Sequence, residues 1–136
     1  MKRTILSAFF TIGTALILVT TASAQHWTLA ADIPFDFKVS DSEMSSGKYT
    51  VQMLDNTVLI IRSEKDQKAV ITLSNAAITP QDLRRASLVF NHYGEEYFLS
   101  AVSWPEGPSR ALPKTSLEIQ AAKNIGRPRR LEVSSK

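Results

Sequence analysis

Few side chains in this chain could do chemistry. His26 and His92 are the only histidines and there is no cysteine, which removes thiol catalysis, thiolate metal sites, redox exchange and disulfides. The two histidines share no metal-ligand spacing. A hydrolytic site would need the fold to bring His26 and His92 to a carboxylate such as Asp36 or Glu95. Asp32 and Asp36 flank one strand-like run, and Glu95-Glu96 sit in a turn. Glycosidase chemistry would require two carboxyls facing each other across roughly 5–10 Å. Carboxylates scattered on turns and edges more simply discourage sheet-to-sheet pairing. No serine lies in a G-x-S-x-G elbow or an S-x-x-K frame, and no glycine-rich loop could cradle a phosphate. No cofactor and no metal is expected.

The aromatic set is richer. Phe35, Phe37, Tyr49, Phe90, Tyr97, Phe98 and Trp104 all fall in strand-like runs, where burial is what drives a domain of this size to fold. Some could instead line a cavity, with Tyr93 and Trp104 at its rim, His92 beside them and a helix as lid. Near the C-terminus, Arg127, Arg129 and Arg130 could meet an anionic surface such as lipid headgroups, envelope polysaccharide or an acidic partner.

The elements that must position these residues read mostly as strands. Ile33, Phe35, Phe37 and Val39 alternate with polar residues, as do Tyr49, Val51 and Met53. A period of two marks a strand buried on one face. The two arms predict an antiparallel pair joined by an eight-residue connection, Ser40 to Gly47, with Pro34 at a strand start or an exposed edge. Four consecutive apolar residues in Thr57–Arg62 predict burial on both faces. Ala69–Ser74 is a further strand, and Thr79-Pro80 could open one helical turn. Leu88–Tyr93 and Tyr97–Trp104 form a hairpin about Gly94. Thr115-Ser116-Leu117-Glu118 is a capping box. It opens a helix that Gly126 ends, with Leu117, Ala121 and Ile125 on its docking face. The fold class is therefore mainly β: six or more antiparallel strands as a small barrel or a sandwich, with one short C-terminal helix.

The first 24 residues stand apart. Lys2 and Arg3, the apolar run Ile5–Val19 and Ala22-Ser23-Ala24 make the three parts of a cleavable export signal. The apolar core is too short for a spanning helix, which takes about 20 residues. Export across the inner membrane follows, to the periplasm or beyond. The mature chain, from Gln25, divides into an antiparallel β domain (25–109), a linker with a docking helix (110–126) and a flexible basic tail (127–136). From Gln25 to Ser109, seven Lys/Arg face eleven Asp/Glu, whereas from Arg110 onward seven face two. The basic sequence pI thus reflects the signal and the tail, and does not indicate nucleic-acid binding.

The order Ile33-Pro34-Phe35-Asp36-Phe37-x-Val39, Gly47-Lys48-Tyr49-Thr50-Val51, Ile61-Arg62-Ser63, Tyr93-Gly94 and Tyr97-Phe98-Leu99 resembles a group of short bacterial exported proteins that bear signal peptides. The resemblance runs from about Ile33 to Trp104. It implies export and a β-rich fold, and carries no activity. In similar sequences Leu-Pro-Ala often precedes the G-K-Y, where this chain has Met44-Ser45-Ser46.

The reading that results is an exported, non-enzymatic binding or structural module of the bacterial envelope, partnered by a protein, a glycan or an apolar small molecule. The alternative is a small hydrolase acting on an envelope polymer through carboxylates and His92. Self-association through the Ile33–Val39 edge is a further expectation.

Overall fold

The computed structural model describes residues 26–77 and 85–135. The expected export signal, its expected cleavage point and the expected turn at Thr79-Pro80 lie outside them. Strands β1 (Thr28–Ile33), β4 (Gly47–Asp55), β5 (Val58–Ser63) and β6 (Ala69–Leu73) form one antiparallel sheet in the order β1-β4-β5-β6. The second sheet runs β11 (Arg129–Ser134), β8 (Ser87–Tyr93), β9 (Glu96–Ser103), β10 (Ser109–Ala111), β7 (Asn75–Ala76). A small hairpin, β2 (Phe37–Val39) with β3 (Ser42–Met44), joins β9 through one parallel bridge, Lys38 to Phe98. The one helix is α1 (Ser116–Ile125). The mainly β class with a short C-terminal helix holds. The strands lie in two sheets around one core, antiparallel except at that one parallel bridge.

That core takes Ile33, Val51 and Ile61 from the first sheet and Leu88, Phe90 and Val102 from the second. Each is at most 1% exposed. Alternation does what the pleat demands in β1, where Leu29, Ala31 and Ile33 turn inward while Thr28, Ala30 and Asp32 face solvent. The sheets meet along both sides. On one, the chain leaves β6 and enters β7 with only Ser74 between, so it changes sheet at a corner. On the other, Ser135 Oγ donates to Ala30 O at 2.8 Å, tying the end of β11 to β1.

Several sequence expectations are corrected. Ile33 to Val39 is not one strand. β1 ends at Ile33, paired with Gly47, and after Pro34 the chain crosses to β2, which pairs with β3 and β9. Proline has no N–H to give a ladder, so the break falls there. Phe35 and Phe37 still face the core because the alternation outlasts the change of sheet. β2 is paired on both sides, with β3 and at one bridge with β9, whereas β1 is an edge strand of its sheet. Val58 and Ile60 are half-exposed while Leu59 and Ile61 are buried, so β5 is covered on one face only. β8 is the doubly covered strand, with every residue from Ser87 to Asn91 buried. Residues 129–134 are no free tail: β11 pairs with β8 along its length, from Arg129↔His92 to Ser134↔Ser87.

The helix docks by a different face from the one its apolar residues suggest. Thr115 caps it, its Oγ1 accepting the Glu118 N–H at 3.2 Å, and the Gly126 N–H closes the other end onto Ala122 O. The Glu118 side chain does not complete a capping box. It turns into the second sheet, 3% exposed, where Asn91 Nδ2 donates to Oε1 at 2.8 Å and Tyr93 OH donates at 3.2 Å. Ala121 sits beside it on Tyr93 and Phe98. Leu117, Ile119 and Ile125 remain exposed. The polar side chains of β8 draw Glu118 inward, since a buried amide and phenol each need an acceptor.

Burial raises the Tyr93 phenol above its ordinary range, and the neighbouring Glu118 carboxylate adds to the rise. Burial raises Tyr49 as well. An unfolded tyrosine ionises near pH 10 or so, while the folded ones keep their protons. Above that pH the unfolded state binds fewer protons, so stability falls as the pH rises toward the folded values. Urea midpoints measured from pH 8 to 11 are expected to be level up to about pH 9.5 and to drop beyond. Tyr93→Phe should show a shallower alkaline drop.

Candidate functional site

The two ends of the sandwich differ in chemistry. At one end, β1 begins and β9 runs out. There Trp27 packs over Gly107, where an added Cβ would come within 2.7 Å of the indole ring. Trp104 lies at this end, 3% exposed and part of the core. It forms no rim.

At the other end the β8–β9 turn, the crossing Pro34-Phe35-Asp36 and the β5–β6 turn come together. His92 and Tyr97 are directly opposed on neighbouring strands, and their rings stack face to face at 4.0 Å between centroids, 4° from parallel. Phe35 stacks on Tyr97 at 3.9 Å and meets Phe90 edge-on at 5.0 Å. The three half-buried rings form a pile with Tyr97 in the middle. Tyr93, one residue from His92, points to the opposite face of the sheet and is fully buried beneath α1. The three residues expected to line one ligand site are thus separated. His92 is in the ring pile, Tyr93 is under the helix, and Trp104 is at the far end, about 20 Å or more along a seven-residue strand.

Two grooves open beside the pile. One, of about 200 Å³, is lined by Asp36, Phe37, Lys38, Glu43, Glu95, Glu96 and Tyr97. The other, of about 370 Å³, is lined by Asp36, Glu43, Met44, Ser45, Tyr49, Asp66 and Lys68. They share Asp36 and Glu43, so they form one surface with five carboxylates and two lysines. Both lysines are already engaged. Lys38 Nζ pairs with Glu96 at 2.8 Å, and Lys68 Nζ donates to the Glu43 carbonyl at 2.6 Å. Asp36 Oδ1 accepts the Ser46 N–H at 2.8 Å, which fixes the β3–β4 turn against the crossing. Glu96 is held by Lys38 and Asp66 Oδ2 accepts from Ser45 Oγ at 3.2 Å, so three of the five carboxylates are anchored, and Tyr97 lines the same surface.

No histidine lines these grooves, and among the described residues no three His, Asp or Glu gather as a metal site would need. His26 precedes β1 at the opposite end. The two histidines therefore lie at opposite ends of the fold. Arg129 and Arg130 are consecutive residues of a strand, so they leave opposite faces of the sheet. Together with Arg127 they are exposed. Among the described residues, no helix is long and apolar enough to cross a membrane.

No protein family, curated protein or solved structure matches the chain.

Sequence reasoning weighed His92 with Asp36 or Glu95 as one possible site, but missed that Tyr97, Glu43 and Asp66 lie at the same end of the fold. The signal was partly there: each of these residues lies within a few positions of a turn. The pairing of turns could not be read, because the break at Pro34 decides which of them meet.

Proposed function

We propose that this is an exported, non-enzymatic binding module of the bacterial envelope. Its ligand is a neutral or amine-bearing glycan, held on the carboxylate-lined surface beside the Phe35–Tyr97–His92 pile. The observation that carries the reading is the joined pair of grooves sharing Asp36 and Glu43. Carboxylates held in place accept hydrogen bonds from sugar hydroxyls and attract ammonium groups, and their excess over lysine repels acidic polymers. A stacked ring pile gives Tyr97 little freedom to lose on binding. The filled core argues against an enclosed apolar ligand, since Tyr49, Phe37 and Phe90 occupy the interior.

Isothermal titration with glucosamine and N-acetylglucosamine hexamers tests this. The amine-bearing hexamer is expected to bind more tightly, and to weaken with added salt. Asp36→Asn combined with Glu43→Gln should cost at least about tenfold in affinity, and Tyr97→Phe about fivefold, for the loss of one hydrogen bond. Equal binding of hexalysine, unaffected by Tyr97→Phe, would replace the glycan with a cationic peptide. Absence of binding to either sugar at millimolar concentration would overturn the proposal.

A further inference from the structure

The outer side of the first sheet carries an apolar group that the proposed site does not use. Ile60 opposes Ile71, and Val58 opposes Leu73. Ile71 and Leu73 are each 65% exposed. Both lie on β6, which with β1 is one of the two edge strands of this sheet, and whose sequence Ala-Val-Ile-Thr-Leu holds no charge, proline or bulge. Edge strands are commonly blunted by one of these devices, because an unpaired row of N–H and C=O groups accepts another strand. Among the described residues nothing pairs with β6 on the side away from β5, and no backbone hydrogen bond leaves that side. The β2–β3 hairpin lies beside β6, with Ser40 Oγ and Thr72 Oγ1 at 2.7 Å and Lys68 Nζ on the Glu43 carbonyl at 2.6 Å, but among the described residues it gives β6 no backbone hydrogen bond.

We propose that this edge pairs with the β6 edge of a second copy, antiparallel about a two-fold axis at Ile71, joining two four-stranded sheets into one of eight. Symmetry selects the register. Residues directly opposed in an antiparallel pair leave the same face, so a two-fold normal to the sheet must pass a residue facing its own copy. The register that overlaps all five residues is centred on Ile71, the midpoint of β6. It sets Ile71 against Ile71 of the copy and Leu73 against the copy's Ala69, a large side chain over a small one. It sets Lys68 opposite Ser74 of the copy, so no charge faces its own kind. A heterologous strand would gain the same backbone bonds but not this match. The contact is small, below the roughly 1,000 Å² that a lasting interface clears, so the dimer is reversible.

Sedimentation velocity across a concentration series, from about 1 to several hundred micromolar as such contacts require, is expected to move from monomer to dimer. Ile71→Lys, at an exposed position, should fold normally and weaken dimerisation at least about tenfold by setting two ammonium groups face to face. Because the chain lacks cysteine, a single introduced thiol reports the register. Directly opposed Cα atoms lie about 4.5–5.5 Å apart, within disulfide range. Ile71→Cys is expected to oxidise to a covalent dimer much faster than Leu54→Cys, which is exposed on another strand. A monomer at every concentration, a dimer indifferent to Ile71→Lys, or equal cross-linking at 54 and 71 would each overturn the proposal. None of these outcomes bears on glycan binding at the grooves.

Discussion

Replacing Glu118 by alanine is expected to lower the unfolding free energy by about 2–4 kcal/mol, because it strands two buried donors at once. Asn91 is 7% exposed and Tyr93 fully buried, and both donate to the same carboxylate oxygen. The helix has little else holding it. Its buried residues are Glu118 and Ala121, and its larger apolar side chains face outward. A ten-residue helix is marginal alone in water, so losing this anchor should release α1 before the sheets open. Amide exchange within Ser116–Ile125 is expected to accelerate far more than in β8 or β9. Glu118→Gln keeps the shape and one acceptor oxygen, and should cost only about 1 kcal/mol. If alanine at 118 left both stability and helix exchange unchanged, the helix would be held by something other than this network.

Arg110→Ala is expected to cost about 2–3 kcal/mol, with the damage local to the corner between the sheets. Arg110 is 8% exposed; its Nε donates to Ser74 Oγ at 3.0 Å and its Nη2 to the Ser74 carbonyl at 2.7 Å. Ser74 is where the chain leaves one sheet for the other: its N–H still reaches Thr57 O at 2.7 Å, while its carbonyl takes the guanidinium. The guanidinium supplies two donors in fixed geometry to that one residue. Lysine has no such fork, and Arg110→Lys should recover less than half of the loss. Urea denaturation gives the magnitude, and exchange at Asn75 and Ala76 gives the location. A global loss without faster exchange at the corner would show that Arg110 acts by packing alone.

The fold was legible where local chemistry decides it. Gly94 between two strand-like runs gave the β8–β9 hairpin, and Thr115 with Gly126 gave both ends of α1. What escaped the sequence was long-range choice. Phe35 and Phe37 keep the alternation of Ile33, and nothing local says that they do so across a change of sheet. Val58–Ile61 is apolar enough for two-sided burial, yet the covering helix goes to the other sheet, where Asn91 and Tyr93 hold an acceptor. That preference depends on which strand ends up beside α1, and a capping glutamate carries no mark of it. Arg129-Arg130 reads as a solvated tail until the open edge of β8 gives it a partner. The proposed site was legible only as separate turn residues, since its grooves exist where three turns converge.

The most direct test of the proposed site is a chemical-shift map of the isotopically labelled protein titrated with glucosamine hexamer. The account predicts perturbations centred on Asp36, Lys38, Glu43, Asp66, Glu95 and Tyr97, with the Trp27–Trp104 end and α1 unmoved. Shifts confined to that opposite end or to the helix, or none at saturating sugar, would contradict it.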